Sequence, residues 1–273
     1  MAFTGSAGPP ENREVRHSRV RFSVIRNILA LMLREMSTRY GRTPGGYIWG
    51  VLEPLAAIMF LSIGFSLLLR SPSLGTSFLL FYTTGYVVFN IYQVIAKSTS
   101  MAISFSKALL RFPAVNWFDA LVARFVLNSL TGIMISIMLF AVILSIVESR
   151  TVLDLGPIIE AFALAMLLGL GIGTLNCTLI GLFPLWDVVW GIITRPLFLA
   201  SGIIYIYEDL PKLAQDILWY NPLIHVTGLT RSGFYTTYSP TYINTLYVFY
   251  VGIILLFFGL LLTRRYSRDI LNR

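Results

Sequence analysis

The sequence predicts an all-α integral membrane protein: six transmembrane helices, an N-terminal amphipathic helix in the membrane interface, and a re-entrant helical hairpin before the last span. Three observations carry this. Of 273 residues, 56% are hydrophobic and only 12% charged, and the mean hydropathy is +0.74, beyond the balance of a soluble domain. Uncharged stretches run over 71–96, 125–147 and 161–186, longer than the roughly 20 residues that cross hydrocarbon as a helix. A membrane β-barrel would instead alternate polarity in segments of about ten residues. Lysine and arginine are also unevenly placed. With the N-terminus in the cytoplasm, residues 1–49, 97–124 and 264–273 hold 16 of the 21, which puts both termini inside.

The elements follow in order. Residues 1–19 are expected as a disordered cytoplasmic tail, with no apolar core or cleavage site of a signal peptide. From Val20, the residues Phe22, Ile25, Ile28, Leu29, Met32, Met36 and Tyr40 recur at three- and four-residue spacing, with Arg21, Arg26, Arg34, Glu35 and Arg39 largely elsewhere on the wheel. This is the pattern of an interfacial helix, or of a plain electrostatic anchor to anionic lipid. "RYGRTPGGYIWGVLEP", 39–54, then supplies a hinge. Gly41 and Thr43-Pro44-Gly45-Gly46 bend the chain, Arg39 and Arg42 hold headgroups, and Trp49 marks the interface, closing the unit 20–49. Glu53, one turn into the first span, should face protein or a water-filled path.

The six spans are read at 50–69, 76–96, 122–147, 157–183, 186–206 and 242–263, within a permease domain of 50–263 and ahead of a cytoplasmic tail of 264–273. The loop 98–116 is helical in pattern, with Ser100 or Ser104 as cap and Pro113 as stop. Its apolar residues need a partner protein or this chain's own interfacial helix to cover them. Ala161, Ala165, Gly169 and Gly173 form a small-xxx-small series that suits close packing within the chain or a dimer seam. Asp187 and Arg195 lie two turns apart at the start of the fifth span, and an intramembrane arginine should face a cavity or a partner. Residues 207–241 are too polar to span. Asp209 and Pro211 start a short helix, Asn221-Pro222 ends it, and a second apolar piece runs to Arg231, which together read as a re-entrant hairpin at a pore mouth. Eight of the 14 tyrosines fall between 205 and 250. Such rings stack on sugars, and they also populate membrane interfaces.

Several function classes drop out. One cysteine and two histidines offer no disulfide framework and no metal cluster. There is no GxxxxGK[ST] and no HExxH, so the chain is not expected to be an enzyme or to bind a cofactor. The net charge of +8 is accounted for by topology, and nucleic acid is not an expected partner.

"RYGRTPGGYIWGVLEP" resembles the segment before the first span in permease subunits of type-2 ABC exporters, specifically those that export bacterial capsular polysaccharide. "RFPAVNWFDALVAR", "RPLFLASGIIY" and "NPLIHVTGLTRSGFYTTY" are similar to further stretches of that family. The resemblance implies a homodimer in the inner membrane, working with two copies of a separate ATPase subunit that binds ATP and Mg. It also implies a lipid-linked acidic polysaccharide as substrate and periplasmic and outer-membrane export proteins as further partners. It places Phe105, Lys107, Leu109, Leu110, Arg111 and Phe112 against the ATPase. Arg39, Arg42, Glu53, Arg195, Arg231, Trp219 and Tyr220 would border the substrate path. Export of another lipid-linked glycan, O antigen or teichoic acid, and a non-transporting scaffold are the competing readings.

Overall fold

The structure, a computed structural model, describes residues 13–40, 46–110, 115–147 and 153–272, with the backbone alone at 13–23, 39, 40 and 47. The described residues form helices α1 (Arg13–Tyr40), α2 (Tyr47–Ser66), α3 (Phe78–Ser100), α4 (Ala102–Leu110), α5 (Trp117–Ile146), α6 (Leu155–Leu182), α7 (Leu185–Ala200), α8 (Lys212–Leu218), α9 (Pro222–Phe234) and α10 (Thr245–Asn272), plus a 3₁₀ turn at Tyr207–Asp209. No strand occurs among them. Five helical runs are long and apolar enough to cross a membrane: Ile48–Ser66, Phe78–Leu110, Trp117–Ile146, Leu155–Leu182 and Thr245–Asn272.

The expected fifth span, 186–206, is the departure. Its helix, α7, has 16 residues and stops at Ala200. At 1.5 Å per residue this reaches only about 24 Å, short of a hydrocarbon core of about 30 Å. The cause is local: Gly202 adopts φ 70°, the left-handed geometry that ends helices, and 203–206 leave the helix. At the other end of the chain, α1 begins at Arg13, so residues 13–19, expected as disordered tail, are helical; no proline or glycine follows Pro10 to break the run. The third span starts five residues ahead of expectation, because the Asn116 N–H donates to Asp119 Oδ2 at 3.3 Å and closes the first turn of α5.

The core is built on α6, which packs along α3 and α10. The small-residue series does this work within the chain. Ala161 and Ala165 are fully buried. A Cβ added at Gly169 would lie 2.9 Å from Tyr92 O, and one at Gly173 would lie 2.6 Å from Thr99 Cβ, both on α3. Only glycine lets these backbones approach so closely. On the opposite side, a Cβ at Gly171 would meet Gly252 O of α10 at 2.9 Å, and the hydroxyls of Thr178 and Thr263 bond at 2.8 Å.

In contrast, α2 buries only Pro54 and Ile58 among its described side chains, and α7 buries nothing. Both leave apolar residues uncovered, including Trp49, Phe60, Ile63, Val188 and Ile192. The apolar side of α1 is split in two. Leu31 is buried, with Ile28 and Met32 packed beside it against α5, while Ile25, Leu29 and Leu33 form an exposed stripe at four-residue spacing.

Candidate substrate path and coupling site

Two clefts flank α3 and share Gln93 and Lys97, two α3 residues separated by one helical turn. The first, about 670 Å³, lies between α1, α2, α3 and α5 and carries polar groups from Glu53, Asn90, Gln93, Lys97 and Asn128. Glu53 lines this cleft, and among the described residues no cation pairs with it. The second cleft, about 590 Å³, lies between α3 and α7 and is lined by Lys97, Asp187 and Arg195 with Phe89, Tyr92, Trp190 and Phe198. Asp187 is paired across it: Lys97 Nζ donates to Asp187 Oδ1 at 2.7 Å. Arg195 is exposed in the same cleft, and no described acid neutralises it.

Arg231 behaves differently from the expectation of a substrate-contacting rim. Only 2% of it is exposed. Its Nη1 donates to Tyr205 O at 2.7 Å, its Nη2 donates to Ile203 O at 2.8 Å, and the guanidinium lies 4.2 Å from the centre of the Phe81 ring. Asn221 Nδ2 donates to Ala200 O at 2.9 Å. Together these side chains of α9 and its cap satisfy carbonyls at and beyond the end of α7, where the helix leaves them without partners. Arg231 is a staple between α9, the 201–206 segment and α3, not a contact open to solvent.

The two short helices expected in 207–241 are present as α8 and α9, and Asn221 ends one and caps the other by accepting from Leu223 N at 3.1 Å. Trp219 is half-buried, stacked on Tyr247 at 5.2 Å, and donates to Tyr242 O at 3.3 Å. Tyr220 is exposed and meets the Trp219 ring edge-on at 5.6 Å. His225 completes the cluster. Asn244 N donates to its Nδ1 at 3.3 Å, and its Nε2 lies 2.8 Å from Trp219 O, which assigns the neutral Nε2-protonated form. Burial pushes its pKa below the usual 6.5.

On α4, the residues expected to meet a partner divide. Leu109 and Leu110 pack on α1 and α5 beside Ile28, Leu31 and Ala120, so this chain's own helix covers them. Ser104, Phe105 and Ala108 are exposed, and Lys107 is half-buried. The guanidinium carbons of Arg124 and Arg34 lie 4.3 and 5.1 Å from the centre of the Phe105 ring. Arg42, Arg111 and Phe112, together with the hinge residues 41–45, lie outside the described residues, as does the side chain of Arg39; Gly46, at the start of α2, has φ 41°.

Sequence reasoning missed the pairing of Glu35 with Arg124. Arg124 Nε donates to Glu35 Oε2 at 3.1 Å, with the two side chains 9% and 7% exposed. A signal existed: Arg124 is a lone charge within the apolar run of α5, and Glu35 lies four residues beyond Leu31 on the side of α1 that packs against the bundle.

A bundle of bilayer-length helices with charged clefts on either side of α3 and a short helix linking two spans defines a multi-pass membrane protein. Residues 26–235 match the ABC-2 type transporter family, and the chain belongs to it. It is 26% identical to the capsule polysaccharide export inner-membrane protein CtrC of Neisseria meningitidis over 245 residues, 90% of this chain and 92% of that one. Identity is 29% over 237 residues with the polysialic acid transport protein KpsM of Escherichia coli, covering 86% and 91%. Identity is 27% over 246 residues with the capsule polysaccharide export inner-membrane protein BexB of Haemophilus influenzae, covering 90% and 92%.

Proposed function

We propose that the chain is the permease subunit of an ATP-driven exporter that moves a lipid-linked capsular polysaccharide across a bacterial inner membrane. The observation that carries this is near full-length similarity to proteins named for capsule polysaccharide export and polysialic acid transport, together with this chain's membership of the ABC-2 type transporter family. The chain works as a homodimer with two copies of a separate ATPase subunit, which binds ATP and Mg. In this reading α7 with residues 201–206 completes six crossings, both termini are cytoplasmic, α1 lies in the interface, and 207–241 is re-entrant on the external side. The sparse burial of α2 and α7 supports a second copy against those faces.

The clefts beside α3 supply the path. Arg195 faces the aromatic-lined cleft with its charge unneutralised by any described acid, which suits a phosphate or sugar acid. Gln93, Asn90 and Glu53 offer amide and carboxylate groups to sugar hydroxyls in the other. The exposed residues Ser104 and Phe105 of α4, with Lys107 beside them, meet the ATPase, whose closure displaces α4 and opens the seam between permeases. Periplasmic and outer-membrane export proteins receive the product.

The test is complementation of a capsule-export deletion strain. Arg195→Ala is expected to abolish surface polysaccharide while the protein remains inserted and bound to its ATPase. Normal export by that variant removes Arg195 from the path. A wild-type chain that restores no capsule, yet restores another surface glycan, overturns the substrate class.

A further inference from the structure

Arg124 touches more elements than any function described so far requires. From α5 it reaches α1 through Glu35 Oε2 at 3.1 Å, α3 through Ser98 O, to which Nη1 donates at 2.6 Å, and α4 through the Phe105 ring at 4.3 Å. Arg34, beside Glu35 on α1, lies over the same ring at 5.1 Å. One side chain, 9% exposed, thus ties together four helices that are separate in sequence.

Stability is a poor explanation for burying this pair. Desolvating a carboxylate and a guanidinium offsets most of their attraction, and apolar residues of similar volume commonly do as well. What a buried pair does supply is registry, because sliding one helix past another would leave an uncompensated charge inside the protein. The planar fork of arginine is also specific to this geometry: carboxylate, carbonyl and ring are met by different parts of one rigid group. A lysine ammonium could keep one of these contacts and not all three.

We infer that Arg124 is a positioning residue that locks α1, α3, α4 and α5 into one rigid unit, so that displacement of α4 is delivered to the spans instead of being lost as sliding between α1 and α4. The inference rests on the reading that α4 receives movement from an ATPase, and it deepens that reading by naming the joint. Glu35 and Phe105 are its two other members. Without the joint, the ATPase would bind and turn over while the spans failed to follow.

The experiment pairs a distance measurement with an export measurement on the full-length permease assembled with its ATPase. Nitroxide labels go on Ala30 of α1 and Ala108 of α4, both exposed and outside the joint. The wild-type chain is expected to give one narrow distance distribution, unchanged by ATP. Arg124→Gln and Arg124→Lys are expected to broaden it, to keep ATP hydrolysis and ATPase association, and to lower export on the order of tenfold. Should Arg124→Gln fail to insert, the neutral pair Glu35→Gln with Arg124→Gln takes its place, with the same expectation. Wild-type export by these variants overturns the inference, and so does lost export with an unchanged distance distribution. The distance measurement needs no polysaccharide. If the wild-type chain restored no capsule, the substrate reading would fail while the distance result still decided the joint.

Discussion

Replacing Arg231 by methionine separates a structural staple from a substrate contact. The change keeps an unbranched side chain near Phe81 but removes both donors, leaving Ile203 O and Tyr205 O without the bonds now 2.8 and 2.7 Å long. Each orphaned buried carbonyl costs about 1–3 kcal/mol, and loss of the ring contact about 0.5–2 kcal/mol. Relief from burying a guanidinium with no acid bonded to it offsets part of this. A net loss of about 2–5 kcal/mol is expected, among the larger effects of a point mutation. Thermal unfolding of the detergent-solubilised permease measures it, and limited proteolysis should find new cleavage between residues 201 and 209. Arg231→Lys is expected to recover little, since a single ammonium lacks the fork that meets both carbonyls. Wild-type melting and proteolysis of Arg231→Met, combined with lost export, would refute the staple and return Arg231 to the substrate path.

Gly173→Ala places a methyl 2.6 Å from Thr99 Cβ and 2.9 Å from Ala96 O, an overpacking that should cost about 1–3 kcal/mol. Gly64→Ala, where an added Cβ meets nothing within 4 Å, should instead be neutral or stabilising by up to about 1 kcal/mol. Melting temperatures of the two variants should move in opposite directions; equal losses would count against the close seam of α6 with α3. For His225, the unfolded chain takes up a proton near pH 6.5 that the folded chain resists, because burial lowers its pKa. Stability should therefore be fully present above about pH 6.5 and fall as pH drops below it. A pH series on wild type and His225→Gln checks this, and an identical acid slope in both would remove His225 as the cause.

The turn chemistry of the hairpin was legible because its cause is local. Asn221-Pro222 ends one helix and caps the next wherever the chain goes afterwards, and α8 and α9 fall on either side of it. The glycine series of α6 was equally plain as a close-packing face. Its partner was not, since a helix face does not state which neighbour it meets. Arg195 and Arg231 looked alike as cationic residues near the path. They differ because one projects into a cleft and the other beneath the end of α7.

The sequence by itself determined that this is a helical, multi-pass membrane protein, because hydrocarbon cannot satisfy backbone polar groups and a long apolar run has few alternatives to the helix. It also carried the family in its motifs. Only the tertiary structure decided which charges face the clefts and that Glu35 meets Arg124. That pair is separated by 89 residues, and Lys97 and Asp187 by 90. Hydropathy and periodicity act over one helix, whereas the pairing of buried charges depends on which helices the bundle sets side by side.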